Sequence, residues 1–185
     1  YVQKGFGLKK QIKGLLQDDY HSQLVDVLRE RGNTMSFGPV EVRLAKDFGF
    51  CYGVEHAIEI AWKTVNDHPD KRVFLLSEMI HNPRVNTDLA ELGVRFLMDT
   101  AGEPLVDWDE LTGDDVVIVP AFGAPTSFTE KIEAQGCNII DTTCGDVMKV
   151  WRRVRTYAKS GVTSLIHGKR VPRELAVQEG TGWTL

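Results

Sequence analysis

Polar and apolar positions near the start of the chain follow a helical period. In "LKKQIKGLLQDDYHSQLVDVLRERG" (residues 8–32), Ile12, Leu15, Leu16, Leu24, Val25 and Leu28 recur at spacings near three and four. That pattern predicts an amphipathic helix, which Gly32 and then Pro39 bring to an end. Residues 1–39 therefore read as a helical N-terminal extension. The period then changes repeatedly. Short apolar runs at 40–46, 72–78, 94–96, 116–120, 138–141 and 163–168 read as strands. Between most of them lie helical patterns: "VEHAIEIAWKTVND", "PRVNTDLAELG", "SFTEKIEAQG" and "DVMKVWRRVRTYAKSG". Strand and helix in alternation predict an α/β fold, parallel sheets with covering helices. The acidic stretch "DTAGEPLVDWDELTGDD" (99–115) reads as a surface loop.

Composition narrows the function classes. The 185 residues are 42% hydrophobic and 26% charged, which suits a soluble globular protein with one core and part of a second. A net charge of -4 leaves no electrostatic footprint for nucleic acid or an anionic membrane, so the partners expected are small molecules. The longest apolar runs, such as "VVIVPAFGA", fall far short of the ~20 residues of a membrane span. Three widely separated cysteines, Cys51, Cys137 and Cys144, make no disulfide framework and point to a reducing compartment. The opening Tyr1 and the closing "GTGWTL" read as arbitrary ends, with the front trimmed.

In parallel α/β sheets the carboxyl ends of the strands form the ligand edge. The predicted ends here carry "GFCYG" with Cys51, "EMIHNP" with His81, "PAFGAP", "DTTCGD" with Cys144 and "IHGK" with His167. Cys51 and Cys144 each precede a helix, whose unpaired amides and positive dipole end favour an anion: a thiolate, a thiolate-held cluster or a phosphate. Gly49 and Gly53 would clear space around the first sulfur. Taken singly, a strand-end cysteine is a small buried hydrophobe and a His before Asn-Pro a polar cap. Convergence of four such ends on one edge is what argues for a site. Cys137 begins a strand at the opposite edge and reads as buried and structural. Arg152, Arg155 and Lys159 read as a solvated face opposite Trp151 and Val154. Structural zinc is disfavoured because neither a C-x2-C nor an H-x3-H pair occurs. A Cys-His nucleophile pair and iron–sulfur ligation by distant cysteines both stay open on spacing.

The stretches "GFCYGVEHAI", "IHNPRVN", "VPAFGA", "DTTCGDVMKVW" and "SLIHGK", in this order, closely resemble the 4-hydroxy-3-methylbut-2-enyl diphosphate reductase family, also called IspH or LytB, of the non-mevalonate isoprenoid pathway. "KGFG" and "GLLQDDYHSQLV" are similar to its extended, phototroph-type branch. The resemblance runs from residue 4 to about 169. It implies a three-lobed trefoil of α/β lobes, of which this chain would hold the first (40–143) and an incomplete second (144–185). It also implies a 4Fe-4S cluster held by three cysteines and a reductive dehydroxylation that yields isopentenyl and dimethylallyl diphosphate. Cys51 and Cys144 would be metal ligands lying near each other, with Cys137 away from them and the third cysteine ligand absent from this chain. His81, in the family's "HN" motif, and His167 would bind the substrate diphosphate, and Glu174 would relay protons as the catalytic acid. The partners implied are a small allylic diphosphate and an electron-donor protein such as ferredoxin or flavodoxin, with no nucleic acid or membrane, in the cytoplasm or alternatively the plastid stroma.

Departures from the family pattern are Gly145, where Pro is usual, Pro172 or Arg173, where a histidine falls, and Phe122, where many members carry histidine though the extended branch has Phe. The chain reads as a fragment, or as a gene whose frame was lost. Two alternatives accompany this reading: a non-catalytic remnant or binding module of the same scaffold, and a thiol-dependent hydrolase using Cys51 and His81.

Overall fold

A computed structural model describes residues 22–165, and the chain divides into two units at the step from Cys51 to Tyr52. In the first unit, α1 (Gln23–Glu30) buries Leu28 and is followed by Gly32 and Asn33 with φ of 72° and 65°. Strands β1 (Thr34–Phe37) and β2 (Val40–Arg43) then pair antiparallel, with Phe37 opposite Val40 and Met35 opposite Val42. The turn between them is Gly38, at φ 59°, followed by Pro39. A positive φ in a two-residue hairpin loop is what glycine supplies. Alternation puts Met35, Phe37, Val40 and Val42 on one face of the ribbon.

Two expectations are corrected here. Residues 34–37 form a strand rather than part of a helical extension, and the strand at 40–46 is shorter and belongs to this hairpin rather than to a parallel sheet. The helical pattern of 8–32 is realised over 23–30, and its part before residue 22 lies outside the described residues.

The second unit holds a four-stranded parallel sheet in the order β4-β3-β5-β6, built from β3 (Val73–Leu75), β4 (Arg95–Phe96), β5 (Val116–Val119) and β6 (Asn138–Asp141). The helices are α2 (Tyr52–Asp67), α3 (Pro83–Glu91), α4 (Thr126–Ala134) and α5 (Gly145–Lys159). β5 reads Val-Val-Ile-Val and every residue of it is buried, as a central strand covered on both faces requires. α2 buries Ala57 and Ala61, small enough for close packing, together with the bulkier Ile58. None of the described helices is long and apolar enough to cross a membrane.

The acidic stretch 99–115 is more than a surface loop. Trp108 and Leu111 are buried in the core with Phe74, Leu76, Val117 and Ile132, and the Trp108 ring meets Phe128 edge-on at 5.2 Å. Its last residue, Asp115, is also buried and accepts two hydrogen bonds from Arg72, at 2.7 and 2.6 Å, while a third from Arg72 goes to the Glu110 carbonyl at 3.1 Å. The strand expected at 163–168 does not form over 163–165, and the rest of it lies outside the described residues.

Candidate functional site at the carboxyl edge of the sheet

Because β3, β5 and β6 are adjacent and parallel, the segments that follow them leave the sheet at one edge. His81 follows β3, Phe122 and Gly123 follow β5, and Cys144 follows β6. Backbone bonds tie these segments together: the Cys144 amide donates to the Ala121 carbonyl at 2.8 Å, and the Ala121 amide to the Met79 carbonyl at 3.4 Å. Thr142 is buried and donates from Oγ1 to the Val119 carbonyl at 2.6 Å.

Cys144 is the N-cap residue of the fifteen-residue α5, although its side chain makes no capping hydrogen bond. The thiol is half-buried and in no disulfide. Gly53, in the first turn of α2, lies against it: a Cβ built there would stand 2.3 Å from the Cys144 Sγ. Tyr52 crosses the start of α5, its hydroxyl 3.3 Å from where a Cβ of Gly145 would lie. Two helix starts thus meet at one sulfur, and each is glycine where a side chain would collide or press. Gly145, the residue that departs from the family's Pro, is the one under the Tyr52 hydroxyl.

His81 is exposed. Its Nδ1 lies 3.1 Å from Glu78 Oε2, and its ring stacks on Phe122 with centroids 4.9 Å apart. The next two residues open α3 as the sequence predicts: Asn82 is the N-cap, accepting from the Arg84 and Val85 amides, and Pro83 is the first helical residue. Gly123 has φ 83°, and a Cβ on it would fall 2.3 Å from Cη2 of Trp151. Trp151 thereby packs the α5 start onto the β5 loop.

Cys51 is exposed and belongs to the first unit. Cys137 is buried at the amino end of β6 and donates to the Thr112 carbonyl at 3.2 Å. Burial, then the Asp115 carboxylate, push its thiol pKa up. His167 and Glu174 lie outside the described residues. An iron–sulfur cluster asks for thiolates at an edge with room for a bulky inorganic group. The free Cys144 thiol is the right donor type, and Gly53 leaves space for its sulfur, but no group of three His, Cys, Asp or Glu able to hold a metal occurs among the described residues. The donor set therefore fits a cluster in part.

The sequence reading missed Asn86, whose side chain accepts from the Met79 amide and donates to the Ile80 carbonyl, both at 3.0 Å, strapping the segment that carries His81. It also missed Asp141, which accepts from the Thr143 amide at 2.9 Å and sets the chain direction into Cys144. An Asp two residues ahead of a Thr is a signal for such a turn.

A family model described as LytB protein matches residues 42–181. The chain belongs to that family. A 4-hydroxy-3-methylbut-2-enyl diphosphate reductase of Synechococcus sp. (strain WH7803) is 43% identical over 169 residues, 91% of this chain and 42% of that protein. One from Cyanothece sp. (strain PCC 7425 / ATCC 29141) is 42% identical over 170 residues, again 91% of this chain and 42% of its own length. The chain thus spans well under half the length of these relatives. The solved structure of (E)-4-hydroxy-3-methyl-but-2-enyl diphosphate reductase, the terminal enzyme of the non-mevalonate pathway, aligns with a TM-score of 0.58 at 28% identity, covering 75% of this chain and 47% of that one. The Plasmodium falciparum E-1-hydroxy-2-methyl-but-2-enyl-4-diphosphate reductase aligns with a TM-score of 0.59 at 22% identity, over 74% of this chain and 41% of that one, a likeness of fold.

Proposed function

We propose that the chain is a portion of a 4-hydroxy-3-methylbut-2-enyl diphosphate reductase. In this reading Cys51 and Cys144 hold an iron–sulfur cluster together with a third thiolate from outside these 185 residues. The observation that carries it is the Cys144 sulfur seated at the start of α5 against Gly53, two residues after Cys51 in the chain, on the sheet edge that also bears His81. With it we propose a lobe boundary at Cys144, the parallel-sheet unit before it belonging to the first α/β lobe of a trefoil and 144–185 starting a second.

When bound, the cluster held by Cys51 and Cys144 would supply the reducing electrons. The overall change breaks the allylic C–O bond. The hydroxyl takes up a proton and leaves as water with the C–O bonding pair, and the carbon skeleton receives two electrons from the donor and gains a proton. His81 would donate a hydrogen bond to the diphosphate, joined by His167, and Glu174 would deliver the proton to the leaving hydroxyl. The electron pair would come from a small redox protein such as ferredoxin or flavodoxin. The setting proposed is the cytoplasm, or alternatively the plastid stroma, both reducing, in keeping with three free thiols.

A second reading is a non-catalytic binding module of the same scaffold. Anaerobic reconstitution with iron and sulfide, followed by visible absorption and by product formation with an artificial reductant, separates the two. In a full-length relative, Cys→Ser at the positions of Cys51 and Cys144 should abolish the absorption band. The 185-residue chain alone should show a weak or labile band and no turnover. An unchanged band in the Cys→Ser variants defeats the ligand assignment, and robust turnover by the chain alone defeats the claim that a third thiolate comes from outside it.

A further inference from the structure

His81 is exposed, yet it is held on two sides. A histidine on an open strand end ordinarily samples both tautomers and several ring orientations. Here the Glu78 carboxylate, three residues earlier on the same segment, lies 3.1 Å from Nδ1, and the face of Phe122, from the loop after β5, stacks on the ring at 4.9 Å with the planes 25° apart. A carboxylate only accepts, so Nδ1 must carry the proton it receives. Among the described residues Nε2 has no hydrogen bond, so it is the ring nitrogen left open to a ligand.

We propose that Glu78 and Phe122 are positioning residues for His81, fixing it as the Nδ1–H tautomer in one ring plane and presenting Nε2 to an anionic ligand. As a neutral ring so held, His81 offers Nε2 only as an acceptor. To donate to a phosphate oxygen it takes a second proton, and the Glu78 carboxylate offsets the charge of the imidazolium so formed. Protonated, the pair is suited to an anion; neutral, its Nε2 can only accept, as from a hydroxyl, and offers an anion no donor. The segment is kept in place for this by Asn86, which holds both the Met79 amide and the Ile80 carbonyl. Phe122 contributes a flat surface without a competing donor, which a histidine at that position would not.

The ligand side of this inference rests on the diphosphate role proposed above for His81, whereas the clamp itself does not. Two-bond proton–nitrogen correlation spectra of the whole chain report the tautomer directly. The wild-type chain at a pH where the ring is neutral should show the Nδ1–H form. Glu78→Ala should release it to the Nε2–H form that unconstrained histidine prefers. Glu78→Gln, whose amide oxygen still accepts, should keep the Nδ1–H form but lose the charge assistance. Titration with inorganic diphosphate should move the Nε2 resonance, with an affinity about tenfold weaker in both Glu78 variants. Phe122→Leu, which keeps the bulk, should broaden the ring signals with Nδ1 still protonated and supplies a test if Glu78→Ala does not fold. A wild-type ring already in the Nε2–H form overturns the proposal. A ring locked as expected whose Nε2 resonance ignores diphosphate supports the clamp and removes the diphosphate role from His81.

Discussion

Replacing Gly53 with Ala tests whether the room around Cys144 is a requirement or an accident of packing. The new Cβ would lie 2.3 Å from Sγ and 3.3 Å from the Cys144 Cβ. Non-bonded heavy atoms settle at ~3.5–4.0 Å, so the sulfur must retreat by more than about 1 Å. Cysteine has one side-chain torsion, and Cys144 is fixed at its backbone by the bond to Ala121, so the retreat means a new rotamer or a shifted helix start. Overpacking of this kind costs about 1–3 kcal/mol. Against it, Gly→Ala inside a helix returns about 1 kcal/mol. The net loss is then roughly 0–2 kcal/mol, too small by itself to identify the cause. A double-mutant cycle does identify it: Cys144→Ala removes the colliding sulfur and leaves the Cβ contact at 3.3 Å, so Gly53→Ala should cost about 1–2 kcal/mol less on that background than in the wild type. Urea denaturation gives the stabilities, and mass-spectrometric mapping of iodoacetamide labelling gives the Cys144 reaction rate, which should change in Gly53→Ala. If Gly53→Ala stabilises equally in both backgrounds and leaves that rate alone, the glycine is not a cradle.

Asp115→Ala should destabilise the second unit by about 2–3 kcal/mol in urea denaturation, because it removes a buried carboxylate that binds Arg72 and the Thr112 amide. Burial works to raise the Asp115 pKa, but the Arg72 and Thr112 hydrogen bonds outweigh it and hold the folded-state value below the ordinary one. Its contribution is therefore fully present above the unfolded-state carboxylate value and is lost as pH falls through the lower folded value; a stability–pH curve for Asp115→Asn should lack that acid limb. Cys137, buried and with its thiol pushed up, should resist iodoacetamide at mildly alkaline pH in the native chain while exposed Cys51 reacts, and equal labelling would contradict its placement. Asn82→Ala should cost about 1 kcal/mol by uncapping α3. His81→Ala in a full-length relative should raise the dissociation constant for the diphosphate substrate with little change in melting temperature, and an unchanged constant would remove its proposed role.

Where one physical signal dominated, the sequence was enough. Val-Val-Ile-Val reads as a buried strand and Asn-Pro as a helix start, and α2 to α5 begin and end within about three residues of their periodic patterns. Cys137 was readable as structural because a residue that starts a strand faces away from the ligand edge. The hairpin was missed because Pro39 was read as a helix stop. The same residue after Gly38 is also a two-residue turn, and single-sequence periodicity over four-residue strands cannot choose between them. Acidic residues hid the core role of Trp108 and Leu111: charge predicts the exposed side of a segment and says nothing about its other side. The pairing of His81 with Phe122 was invisible because it joins two strand ends, and their adjacency depends on the strand order.

Gly123 and Trp151 place unequal limits on how this corner can vary. Gly123 is held twice, by its left-handed φ of 83° and by the indole that fills the space of a side chain. Trp151 is held once, by packing. A smaller residue at 151 would vacate the space and leave the dihedral demand in place, so position 151 has routes of change that position 123 lacks. Sequence drift at this corner can enter through the helix and not through the loop, and any recombined or redesigned variant that imports a new α5 must accept the loop's glycine as given.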